Sequence, residues 1–217
     1  MSKSSPSRVR ATLISAGALA ALATGLIAAP SHAVAPADPT PGRKGTTPAH
    51  HTAPRIDAHT TLKFIRNRSN PRHSLLQVVR YGRVAAEFRA GSGAGLGEKN
   101  DAGRNECASG KGWLPKGTYT VGPLHTRYNG RLIKGYAIPL STQACSDKTA
   151  RNQLFIHSEM TRNGGQAPAV RGKDVAQRWD ADYDYESAGC IKLAPNDIKK
   201  LFRNLDRYPH PTKLTVV

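Results

Sequence analysis

The chain is short of acid. Fifteen Asp and Glu stand against thirty-two Lys and Arg, a formal charge of +17 over 217 residues. That excess suits an anionic polymer, but the basic residues are scattered and form no single stripe, so no nucleic-acid partner is expected. Cysteine is nearly absent, with only Cys107, Cys145 and Cys190, an odd count. No internal repeat is visible. Asp182, Asp184 and Glu186 alternate in one short stretch, yet they lack calcium-loop glycine spacing and a second ligand cluster, so no metal is expected there. No organic cofactor is expected either.

One long apolar run is present, Ala11 to Ala29, preceded by Lys3, Arg8 and Arg10 and followed by Ser31-His32-Ala33. A basic region, an apolar core and a small-residue cleavage site in that order predict a secretory signal peptide over residues 1–33. The rival reading is an uncleaved anchor, which the weak hydrophobicity of an Ala- and Gly-rich run disfavours. No stable membrane span is therefore expected after cleavage. Residues 34–59 are rich in Pro, Ala and Thr and have almost no apolar periodicity, which predicts a disordered linker. His50, His51 and His59 lie in this tail, where nothing fixes a ligand geometry.

Residues 60–217 suit one domain with its own core. Runs of β-branched, aromatic and other apolar residues fall at Leu62–Ile65, Leu75–Val79, Val84–Phe88, Thr118–Val121, Tyr136–Leu140, Leu154–His157 and Leu214–Val217. Gly, Pro and Asn punctuate them, which is a strand pattern, and the domain reads as mainly β. One helix is predicted after Ala194. Ile198, Leu201, Phe202 and Leu205 recur at helical spacing, Pro195 suits the first turn and Tyr208-Pro209 ends it. It should pack on the sheet behind Cys190.

The chemistry gathers at Ser187-Ala188-Gly189-Cys190-Ile191-Lys192. Small residues let backbone amides approach a substrate, and Ile191-Lys192-Leu193 returns to a strand, so the turn exposes the Cys190 thiol. A thiol attacks as thiolate and needs a base, while the amides of Ala188, Gly189 and Cys190 suit a developing oxyanion. The candidate base is His157, delivered to a sheet edge by Leu154-Phe155-Ile156-His157-Ser158.

These features resemble the L,D-transpeptidase catalytic domain family, the YkuD-like domains. Ile156-His157-Ser158 matches the family's base strand and Ser187-x-Gly189-Cys190 its nucleophile turn. Pro115-Lys116-Gly117-Thr118-Tyr119 matches its strand entry, and Gly82 lies in a hairpin turn between the second and third runs. The match runs from about Thr60 onward. Ala188 stands where the family has His, Lys192 where it has Arg or Asn, and the stretch from His157 to Cys190 is longer than the family's.

The resemblance implies a β-sandwich with a C-terminal helix packed on the sheet. It also implies a secreted, wall-associated enzyme of the bacterial exterior, acting on peptidoglycan donor and acceptor stem peptides. Cys190 would be the nucleophile, His157 the base and Ser158 its orienting neighbour. With Cys190 claimed by the motif, Cys107 and Cys145 are the natural disulfide pair in an exported protein. Ser187, Lys192, Trp179, Tyr183 and Tyr185 are candidates for the substrate groove, and the acidic, aromatic segment 159–186 reads as a lid or as solvated surface. Two other classes stand beside this one: a non-catalytic wall-binding module that kept the fold, and a secreted cysteine peptidase or amidase of another family. Oligomeric state is not legible.

Overall fold

The computed structural model describes residues 59–95 and 99–217. The signal peptide expected over 1–33 and nearly all of the linker lie outside the described residues. Among the described residues eleven strands and one α-helix follow in chain order: β1 Thr61–Ile65, β2 Ser74–Arg80, β3 Arg83–Ala90, β4 Gly117–Thr120, β5 His125–Asn129, β6 Lys134–Leu140, β7 Gln143–Ala144, β8 Ala150–Arg151, β9 Leu154–His157, β10 Ile191–Lys192, α1 Pro195–Leu205 and β11 Lys213–Val216. Among the described residues no helix is long and apolar enough to cross a membrane.

The strands form two main sheets. One has the order β3-β2-β1-β11-β4 and the other β10-β9-β6-β5, while β7 and β8 make a separate two-stranded ribbon. The β2–β3 hairpin closes through Tyr81 and Gly82, whose φ values of 51° and 71° are the left-handed pair that a two-residue turn between twisted strands requires. β11 enters the first sheet between β1, which it pairs in parallel, and β4, which it pairs antiparallel.

Alternation of burial along β1 and β2 puts Leu62, Phe64, Leu76 and Val78 into the interior. There they meet Ile138 and Leu140 of β6 and Leu154 and Ile156 of β9 in one apolar cluster. The domain is thus a β-sandwich. Its sheets are stitched at two places: Gly91, just past β3, exchanges amide–carbonyl bonds of 2.9 Å with Lys192 of β10, and Val121 bridges to Leu140.

The helix forms where the periodicity predicts it, with Ala194 as its extended cap and Pro195 in the first turn. Ile198, Leu201, Phe202 and Leu205 are its buried face. α1 lies against β3, and Phe202 meets the Tyr136 ring of β6 edge-on at 4.8 Å, so the helix packs on both sheets.

Candidate active site

The parallel pairing of β9 with β10 sets Lys192 opposite His157 and Ile191 opposite Ile156. Cys190, one residue before β10, therefore stands beside the end of β9. Cys190, His157, Ser158, Ser187, Ala188 and Lys192 line a single cleft of about 760 Å³, together with Tyr128, Arg131, Leu132 and Phe155.

Three side chains shape the turn that carries the thiol. Ser187 Oγ donates to the Cys190 carbonyl at 2.6 Å and accepts the amides of Gly93 and Gly189 at 3.2 and 3.1 Å. Ser92 Oγ donates to the Gly189 carbonyl at 3.3 Å. Arg151 Nη2 donates to the Ala188 carbonyl at 2.9 Å. Gly189 has φ +119°, and a Cβ there would run into Arg151 Nη2, so only glycine fits. Of the three amides expected to face an oxyanion, that of Gly189 is taken by Ser187 Oγ.

His157 is buried, and its Nδ1 lies 3.1 Å from the Ser158 carbonyl. A carbonyl only accepts, so Nδ1 carries the proton and Nε2 is the bare, basic nitrogen. Ser158 thus orients the ring through its backbone; its buried hydroxyl has no partner among the described residues. Burial, reinforced by the Lys192 charge, pulls the imidazole down to about 3. Burial pushes the Cys190 thiol up to about 11 against the opposing pull of the Phe155 amide, Lys192 and Arg151. At neutral pH both groups are uncharged. The thiol faces the Gln153 carbonyl at 3.7 Å, and Gln153 holds a left-handed φ of 53°.

Lys192 is buried and ion-paired with Glu159. Burial raises the Glu159 carboxyl to about 7 despite that partner. Glu159, Asp174 and Asp184 offer carboxylate oxygens within 4.8 Å of one another, an arrangement that the alternation of Asp182, Asp184 and Glu186 did not foretell. In Asp184 one oxygen takes the Asp180 and Ala181 amides at 2.7 Å, so the side chain braces the segment. Cys107 and Cys145 are joined in a disulfide, with Cα atoms 5.4 Å apart. Cys190 is free.

Trp179, Tyr183 and Tyr185 do not line the cleft. Trp179 packs edge-on against Tyr185 at 4.7 Å, Tyr185 is buried beneath the Arg89 guanidinium at 4.0 Å, and Tyr183 is exposed. Apolar ring area is better buried against β3 than left in an open groove, so these rings anchor the segment. Asp182 and Glu186 pair with Arg89 and Arg72. Asp182 and Glu186 thus answer arginines brought to them by the fold.

Sequence reasoning missed Arg151, Gln153, Glu159 and the cleft wall of Tyr128, Arg131 and Leu132. Arg151 and Gln153 lie within six residues of His157, and that proximity to the base strand was the one signal available.

A family model described as the L,D-transpeptidase catalytic domain, YkuD, matches residues 67–216. Among solved structures the chain is similar to the L,D-transpeptidase (residues 123–326) from Xylanimonas cellulosilytica DSM 15894, at 18% sequence identity and a TM-score of 0.38. That similarity covers 76% of this chain and 63% of the other. No curated protein matches the chain.

Proposed function

The chain belongs to the YkuD family of L,D-transpeptidase catalytic domains, and from this we propose that it is a cysteine acyltransferase of peptidoglycan stem peptides. The observation that carries the reading is the meeting of a free Cys190 and a buried, neutral His157 in one cleft. Cys190 Sγ attacks the carbonyl between the L-centre of the donor residue and a terminal D-alanine. His157 Nε2 takes the thiol proton as the S–C bond forms, and the amides of Ala188 and Cys190 face the oxyanion. Collapse breaks the C–N bond, and the proton passes from His157 to the departing D-alanine amine. An acceptor amine on a second stem, or water, then resolves the thioester, giving a cross-link or a shortened stem.

Because the resting thiol is neutral, its proton passes to His157 only as the S–C bond forms. The leader pattern and the Cys107–Cys145 bridge support export to the bacterial exterior, since disulfides persist in oxidising compartments. The net positive charge suits a wall that carries anionic polymers.

A second reading, a wall-binding module, draws on the Cys190 thiol facing the Gln153 carbonyl. Incubating the protein with purified muropeptides and weighing the products separates the two. Loss of D-alanine with a dimer or tripeptide product is expected, and unchanged muropeptides that nonetheless co-sediment with the protein would select the module.

A further inference from the structure

Arg151 is a buried guanidinium whose three hydrogen bonds all run to backbone carbonyls. They reach Glu106, Gly112 at 3.1 Å and Ala188 at 2.9 Å. A cation taken out of water without a carboxylate partner is costly, and dipoles offset only part of that cost. The acid beside it is already engaged: Glu106 pairs with Arg66 at 3.0 Å and accepts the Lys116 amide at 3.1 Å. Two of the three carbonyls belong to the loop that the Cys107–Cys145 bridge pins, and the third belongs to the residue two before Cys190.

We propose that Arg151 is a positioning residue for Cys190: it clamps the Ala188–Gly189 turn to the disulfide-bridged loop and sets beside the thiol a positive charge that has no ion-pair partner among the described residues. The proposal rests on the reading of Cys190 as nucleophile. It accounts for two features at once. Gly189 is required because its missing Cβ is where Arg151 Nη2 passes, and the guanidinium favours the thiolate over the neutral thiol. The other charged or titratable groups around the Cys190 site are His157 on β9, in the same cleft, and Lys192 on β10, whose charge also favours the thiolate although it pairs with Glu159. Tyr119 of β4 faces Arg151 itself.

The test is the pH dependence of Cys190 alkylation by iodoacetamide, measured on the wild type, Arg151→Gln and Arg151→Lys, with muropeptide turnover alongside. Removing the charge in Arg151→Gln should raise the midpoint by about one unit, about a tenfold loss of alkylation rate below the midpoint. Arg151→Lys keeps the charge but lacks the fork that reaches several carbonyls. Its midpoint should stay within about 0.3 unit of wild type while turnover falls about tenfold or more.

Equal midpoints in wild type and Arg151→Gln, or equal shifts in both variants, would overturn the proposal. If Arg151→Gln does not fold, Arg151→Lys decides alone: wild-type turnover overturns the clamp, and a midpoint raised like that expected for Gln overturns the charge. Alkylation needs no substrate. Absent turnover in the wild type would therefore sink the functional reading and leave the charge on Arg151 still tested.

Discussion

The two sheets of the sandwich treat buried polarity differently. In the five-stranded sheet each buried polar side chain finds partners: Arg80 donates to Thr60 Oγ1 and to Asn204, and Ser74 Oγ bonds Pro71 and Asn67. In the four-stranded sheet His157, Ser158 and Lys192 are buried at the ends of β9 and β10. Ser158 Oγ and Glu159 Oε2 have no hydrogen-bond partner there among the described residues. An unanswered buried polar group costs roughly 1–3 kcal/mol. Both layers share one apolar core, but the four-stranded one also leaves buried polar groups unanswered around a neutral base and a neutral thiol, with the Arg151 cation of the β7–β8 ribbon held beside them. The lesson is that stability and chemistry are separable by layer in this fold.

Four variants probe that separation. Cys190→Ser and His157→Ala should each lower D-alanine release by about three orders of magnitude or more, with the double variant hardly worse than either, and should leave the cooperative melt of the domain in place. Robust turnover by His157→Ala would put the base elsewhere. Phe64→Ala, in the other sheet, should cost about 3–5 kcal/mol in urea unfolding, because the ring is fully buried at the centre of the core. The same variant should leave the Cys190 alkylation midpoint unmoved. A shift there would show that the layers are coupled.

Glu159→Gln examines the cost at the site. A carboxyl raised from 4.5 to about 7 in the folded state holds a proton that the unfolded chain releases. Its contribution therefore erodes stability as pH climbs from about 4.5 through 7. The wild-type melting temperature should fall relative to Glu159→Gln across that window. A difference independent of pH would mean that Lys192 keeps Glu159 ionised throughout. The smallest effect is expected from Ala188→His. Residue 188 is exposed at the cleft, and only its carbonyl is held, so a ring there should alter the preference among donor stems. The alkylation midpoint should move by less than about one unit; a larger drop would make position 188 part of the activating machinery.

The reading from sequence reached the layer built on periodicity. Leu62–Ile65 and Leu75–Val79 fall on strands where burial on one face marks every second residue, Val84–Phe88 falls on a strand through its β-prone run although its first half is exposed, and α1 shows the 3.6 period plainly. β5 was missed because His125–Asn129 carries no apolar alternation and lies largely exposed. β7 and β8 are two residues each, too short to leave a pattern. At the site, Cys190 and His157 were legible as residue types in local motifs. Arg151 was not, since it is one of thirty-two basic residues and its partners are carbonyls 37 to 45 positions away. Ring packing of Trp179 on Tyr185 was equally hidden, because aromatic composition says nothing about which wall a ring prefers.

The seat of β11 governs the order in which the fold can assemble. β1, β2 and β3 are consecutive and can pair early, but β1 keeps an open edge until Lys213–Val216 arrives, and β4 has no partner in that sheet before then. A nascent or threaded chain thus carries two exposed strand edges for most of its length, an invitation to intermolecular pairing. Closure joins residues some 150 positions apart, and pairing at that separation slows folding.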